Sequence, residues 1–196
     1  MRQSPISPLL RWTHRLDWLA DATGFVLGWF TLAMVLLQSA VVALRYGFNS
    51  GSVALQDSVI YLHGVVFLLG LAYALRTGAH VRVDVFYRRM GERGRAWVDA
   101  VGTLVFLLPL CAFILVGGWQ FAAASWAVHE ASASADGLGG VYLLKSLLPL
   151  AAATLALQGL AQLGRAINTL VQLELQQAPQ RRSPSPAATQ VEEAGV

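Results

Sequence analysis

Apolar residues fill four long blocks of the chain, and charged residues collect in the segments between them. No charge occurs between Asp21 and Arg45, which leaves 22–44 as a first block. At about 1.5 Å per helical residue, it is long enough to cross a hydrocarbon core of about 30 Å. The second block, 58–75, lies between Asp57 and Arg76 and is close to the minimum spanning length. The third, 100–128, exceeds what a bilayer requires, so it is expected to tilt, bend near Pro109 or project beyond the lipid. The fourth, 146–164, follows Lys145 and carries Pro149 in what the pattern makes its first turn, where a missing amide hydrogen costs little. Lipid offers the backbone no hydrogen-bonding partner and no run alternates at strand length, so each block is predicted to be a helix.

Two polar flanks carry a helical stripe of their own. In 9–19, Leu9, Trp12, Leu16 and Leu19 share one side while Arg11, His14 and Arg15 lie off it. In the second connection Val83, Phe86 and Met90 follow the same spacing. Both flanks are predicted to be short amphipathic helices lying in the headgroup layer, with their arginines toward anionic lipid. Residues 177–196 are rich in Pro, Ser, Ala and Gln without periodicity, a composition that favours disorder. The expected fold is an all-α integral membrane protein with four spans. Its divisions are an interfacial segment 1–21, a transmembrane domain 22–170 and a disordered tail 171–196.

Composition agrees with this pattern and settles the class. The chain is 56% hydrophobic and 13% charged with a mean hydropathy of +0.54, whereas about a quarter of the residues of a soluble domain are charged. The net charge of +3 suggests no nucleic-acid partner, because the basic residues sit between apolar blocks and not on one folded surface. Their distribution is topological. Twelve of the fourteen lysines and arginines lie in the N-terminal segment, the 76–99 connection and the C-terminal end, leaving Arg45 and Lys145 for the other two connections. The positive-inside rule then puts both termini and the arginine-rich connection in the cytoplasm. Polar and amphipathic residues precede a full-length first span, so that span is expected to remain attached and not to be cleaved as a signal peptide. The lone Cys111 lies mid-block and can build no disulfide within one chain.

The chemistry within the blocks is sparse. None has Asp, Glu, Lys or Arg in its interior, and those are the residues that pumps and proton-coupled exporters place at membrane depth. No paired broken helices in similar halves suggest a midplane substrate site. Gln38, Ser39, Gln120, Gln158 and Gln162 are suited to hydrogen bonding between helices, and Gly24 with Gly28 forms a small-xxx-small pair that admits a close neighbour. His63 and His129 fall at similar depth. That placement raises one alternative, a haem- or quinone-associated anchor subunit of a respiratory enzyme. No enzymatic activity, metal or cofactor is otherwise expected.

Three stretches resemble the small permease subunit of tripartite ATP-independent periplasmic (TRAP) transporters: 68-LLGLAYALRTGAHVRVDVFYRRM-90, 95-RAWVDAVGTLVFLLPLCAFIL-115 and 125-SWAVHEASASADGLGGVYLLKSLLPLAAATLALQGLAQL-163. The likeness extends over roughly residues 15 to 170. Gly139 and Gly140 depart from it where a proline is expected after Gly-Leu, which leaves the turn there open. The resemblance implies a four-helix inner-membrane subunit that braces a large permease subunit in a secondary, sodium-coupled uptake system for organic acids. A periplasmic substrate-binding protein would dock transiently. It further implies that Arg76, His80, Arg82 and Asp84 form a motif in which Arg82 or Arg76 pairs with Asp84 and meets lipid headgroups or the large subunit. Asp57, Glu130 and Lys145 match polar external positions that either pair across the loops or meet the binding protein.

Overall fold

The computed structural model describes residues 8–79, 87, 89–134 and 136–182. They form an all-α structure with four helical rods, each long and apolar enough to cross a membrane. The first is α1, Pro8–Gly47, and the second is α2, Val53–Arg76. The third rod joins α3, Glu92–Gly102, through a π-helical turn at Thr103–Leu107 to α4, Leu108–Ala127. The fourth is α5, Val141–Arg182. Both ends of the described chain lie on one side of the bundle, here the tail face. The turns after α1 and α4 lie on the opposite side, the loop face.

Local chemistry accounts for where the rods start, bend and stop. Ser52 caps α2 by accepting the Leu55 amide at 3.4 Å. Asn49 and His129 take left-handed φ values of 49° and 45° just beyond α1 and α4, the conformation that commonly ends a helix. Pro109 cannot donate to the Val105 carbonyl and its ring crowds that oxygen. The strain is absorbed by the π turn, in which the Leu108 amide reaches back to Thr103.

Three boundaries differ from those read in the sequence. The stretch 9–19 does not form a separate interfacial helix but is the continuous beginning of α1, since no proline or glycine interrupts the chain between residues 9 and 23. Helix α5 begins at Val141, so Pro149 lies inside it and not in its first turn. The same helix runs to Arg182, beyond residue 171. The interfacial helix expected around Val83 and Phe86 lies outside the described residues.

Helix α5 is the hub. It packs against α1, α2, α3 and α4, whereas α1 otherwise meets α2, and the third rod is held almost wholly by α5. Buried residues make up 33% of its spanning window, against 11% for α1 and 6% for α2. Its inward side is built of Ala151, Ala152, Leu155, Ala161 and Ala166. Small residues permit the approach, as expected where lipid is as apolar as the core and close packing drives association. A Cβ at Gly159 would stand 2.7 Å from Leu107, one at Gly64 would stand 2.6 Å from Leu144, and one at Gly118 would press on Leu148 and Pro149.

Candidate functional site: two polar clusters capping the bundle

At the tail face, Asp17 joins three helices. It projects from α1 and its side chain is only 15% exposed. Arg165 of α5 donates to both of its carboxylate oxygens at 2.9 and 3.1 Å. The buried Gln158, two turns earlier on α5, donates to Oδ1 at 3.0 Å. Arg76, at the end of α2, places Nε 3.2 Å from Asp17 and donates from Nη2 to Asp21 at 3.2 Å. A carboxylate taken into a partly dehydrated site is stable only when several donors surround it, and here α2 and α5 supply them. Farther out, Arg93 of α3 pairs with Glu174 of α5, and Tyr87 donates to Asp99 at 2.8 Å.

Sequence alone assigns no special role to Asp17, Asp21 or Arg165. Each read as a charge flanking a span. The available signal was spacing: Thr13, Asp17, Ala20, Gly24 and Leu27 recur at helical intervals, and Thr13, Ala20 and Leu27 are buried. Read as a continuation of the inward stripe, that row puts Asp17 inside the bundle. Arg76 thus finds its partners on α1. His80, Arg82 and Asp84 lie outside the described residues.

The loop face is closed by a second cluster. Glu130 accepts from Lys145 at 2.5 Å and from Ser125 at 2.7 Å, while the Lys145 ammonium sits 4.1 Å from the Phe121 ring centroid. The Lys145 and Ser125 hydrogen bonds hold the Glu130 carboxyl below the usual carboxylate range. Asp57 of α2 accepts the Leu138 amide at 2.9 Å, and Tyr61 donates to the Gly139 carbonyl at 3.4 Å. These contacts tie the 128–140 loop to α2, and an isolated antiparallel bridge between Ala131 and Gly139 folds it back on itself. Gly140 has φ of +95°, a left-handed conformation that glycine adopts without strain, and it turns the loop into α5. A Cβ at Gly137 would run into Ser132 and stand 2.7 Å from Asp57.

The remaining sequence candidates divide. Gly24 lies against the Tyr73 ring of α2, leaving no room for a Cβ, whereas Gly28 has open space. His63 faces outward and stacks on Phe67 at 6.1 Å, while His129 meets the Tyr142 edge at 5.9 Å in the loop after α4. The two imidazoles thus have separate surroundings, and the haem-anchor alternative draws no support from them.

Apolar rods with ionic clusters at their ends describe a membrane protein, and comparison with known proteins gives its family. The pattern of the DctQ component of tripartite ATP-independent periplasmic transporters matches residues 34–169. The chain belongs to this family. Among curated relatives, this DctQ-family chain is 25% identical over 111 residues to the C4-dicarboxylate TRAP transporter small permease protein DctQ of Vibrio cholerae, covering 56% of this chain and 47% of that protein. It is 32% identical over 78 residues to a TRAP transporter small permease protein of Haemophilus influenzae, covering 40% of this chain and 48% of that one. The matched region therefore spans about half the length of each curated relative. No solved structure matches the chain. As a DctQ-family subunit with four apolar helices, it is a multi-pass inner-membrane protein.

Proposed function

We propose that this subunit is a static scaffold that holds the large permease subunit of a sodium-coupled TRAP transporter, with both termini in the cytoplasm. A periplasmic binding protein delivers the solute, an organic acid. The observation that carries this reading is where the charges lie. Ionic clusters tie the rods at both ends, and between 22 and 44 or 100 and 128 no charged residue offers a path to an ion or solute. A brace needs apolar area and fixed helix ends, and these the chain has. The name of the Vibrio cholerae relative, with its C4-dicarboxylate cargo, supports the organic-acid class.

Reconstitution of the large subunit and binding protein with and without this chain tests the proposal. Uptake should require it. Cysteines at Ala20 and Ala72, cross-linked in a Cys111→Ala background, should leave uptake intact, because a static brace does not need α1 to move on α2. Uptake by this chain alone, or its loss on cross-linking, would sink the scaffold reading.

A further inference from the structure

Large side chains facing outward at membrane depth are mostly apolar, as at Leu36, Phe106, Phe113 and Val116. Two polar exceptions come together. Gln38 of α1 and His63 of α2 line one open groove of about 490 Å³, walled by Met34, Val35, Val59 and Ile60. Both are exposed, and neither has a hydrogen-bond partner among the described residues. Ser39 beside them is already satisfied through the Val35 carbonyl. Gln38 stands nine residues before the end of α1 at Gly47 and His63 ten residues after the start of α2 at Val53. That places both about 15 Å below the loop-face ends of their helices, near the middle of a hydrocarbon core about 30 Å thick. An amide and an imidazole at that depth are too short to reach headgroups, and acyl chains give them nothing to bond.

We propose that this groove receives a transmembrane helix of the large permease subunit, and that this helix presents a hydrogen-bonding side chain to Gln38 and His63. The inference rests on the scaffold reading and adds which face is used. A second copy of this chain fits less well: a two-fold pairing would set one concave groove against another, whereas the groove needs a ridge to fill it. The least buried spans, α1 and α2, are the two that form it. On the third rod Gln120 is also exposed and unpaired, but it stands alone. It serves as the control.

The test uses the full chain expressed with its large subunit. A photoreactive residue at Ser39 or Ile60 should cross-link to the large subunit, and one at Phe113 or Val116 should not. Gln38→Leu with His63→Leu should lower the copurified large subunit by about tenfold, as the loss of two modest interhelical hydrogen bonds implies. Gln120→Leu should change nothing. The thermal melt of the isolated double variant should stay near the wild-type position, since neither side chain hydrogen-bonds among the described residues. Cross-links from Ser39 or Ile60 to a second copy, or to lipid alone, would overturn the proposal, as would full copurification of the double variant. Failure of the wild-type chain to copurify a large subunit at all would instead overturn the scaffold reading beneath it.

Discussion

Asp17 carries more of the tertiary structure than any other charged residue among those described, because α2 and α5 reach α1 through it. Asp17→Asn removes the charge that Arg165, Arg76 and Gln158 share, and should destabilise the detergent-purified protein by about 1.5–3 kcal/mol, the scale of a charge-assisted hydrogen bond. Asp21→Asn should cost less than about 1 kcal/mol, since Asp21 is 51% exposed and its bond to Arg76 competes with water. Thermal melts of the two variants decide it, and equal shifts would remove Asp17 from its central place. The glycine pair gives a second contrast. Gly24→Val drives a side chain into Tyr73 and should cost about 1–3 kcal/mol, while Gly28→Val meets open space and should leave the melt unchanged. Composition and spacing exposed the glycine pair but could not tell its members apart, because that depends on which face of α1 meets Tyr73.

At the scale of elements, the loop-face hairpin between α4 and α5 is the part whose stability should respond to pH. Glu130 is shifted down from its ordinary value of 4.5 by the hydrogen bonds of Lys145 and Ser125. A carboxyl lowered in the folded state stabilises it at every pH above the ordinary value, and this contribution disappears as pH falls through the lower, folded one. Limited proteolysis of the 128–140 loop should therefore be flat above about pH 5 and rise only as pH falls below the ordinary carboxylate range. In Glu130→Gln the neutral-pH rate should already match the acid rate. An unaltered acid profile in that variant would place the titrating group elsewhere. The existence and type of the elements were legible because block length and absence of charge constrain a bilayer span strongly. Their ends were not: α1 begins before residue 22 and α5 continues past 171, since polar helical extensions follow tertiary partners such as Arg93 with Glu174. Pro109 was legible as a break in regular helical hydrogen bonding, and the π turn at Thr103–Leu107 is the form it takes.

At the scale of the whole molecule, the arrangement of rods could not be read from the sequence. Four apolar blocks are compatible with many packings, and only the small residues of α5 meeting all its neighbours make it the hub. Orientation, by contrast, is a matter of charge already visible in the chain. The tail face gathers Arg76, Arg93, Arg95 and Arg165, and the loop face has Arg45 and Lys145, the lysine paired with Glu130. The cost of moving a cluster of arginines across a bilayer during insertion, and the attraction of anionic lipid at about 1 kcal/mol per basic residue, both favour the proposed orientation with the tail face inside. On the proposed orientation, in a Cys111→Ala background, Ser134→Cys in the loop-face hairpin should react with a membrane-impermeant maleimide in intact cells. Gln172→Cys on the α5 extension should react only after permeabilisation. The loop-face ion pair predicts one further asymmetry: Glu130→Lys adds positive charge to the outer side, yet against the arginines of the tail face it should not invert the protein. Labelling of Gln172→Cys in intact cells would show that the arginines do not set the orientation, and the large subunit would then have to meet this chain the other way up.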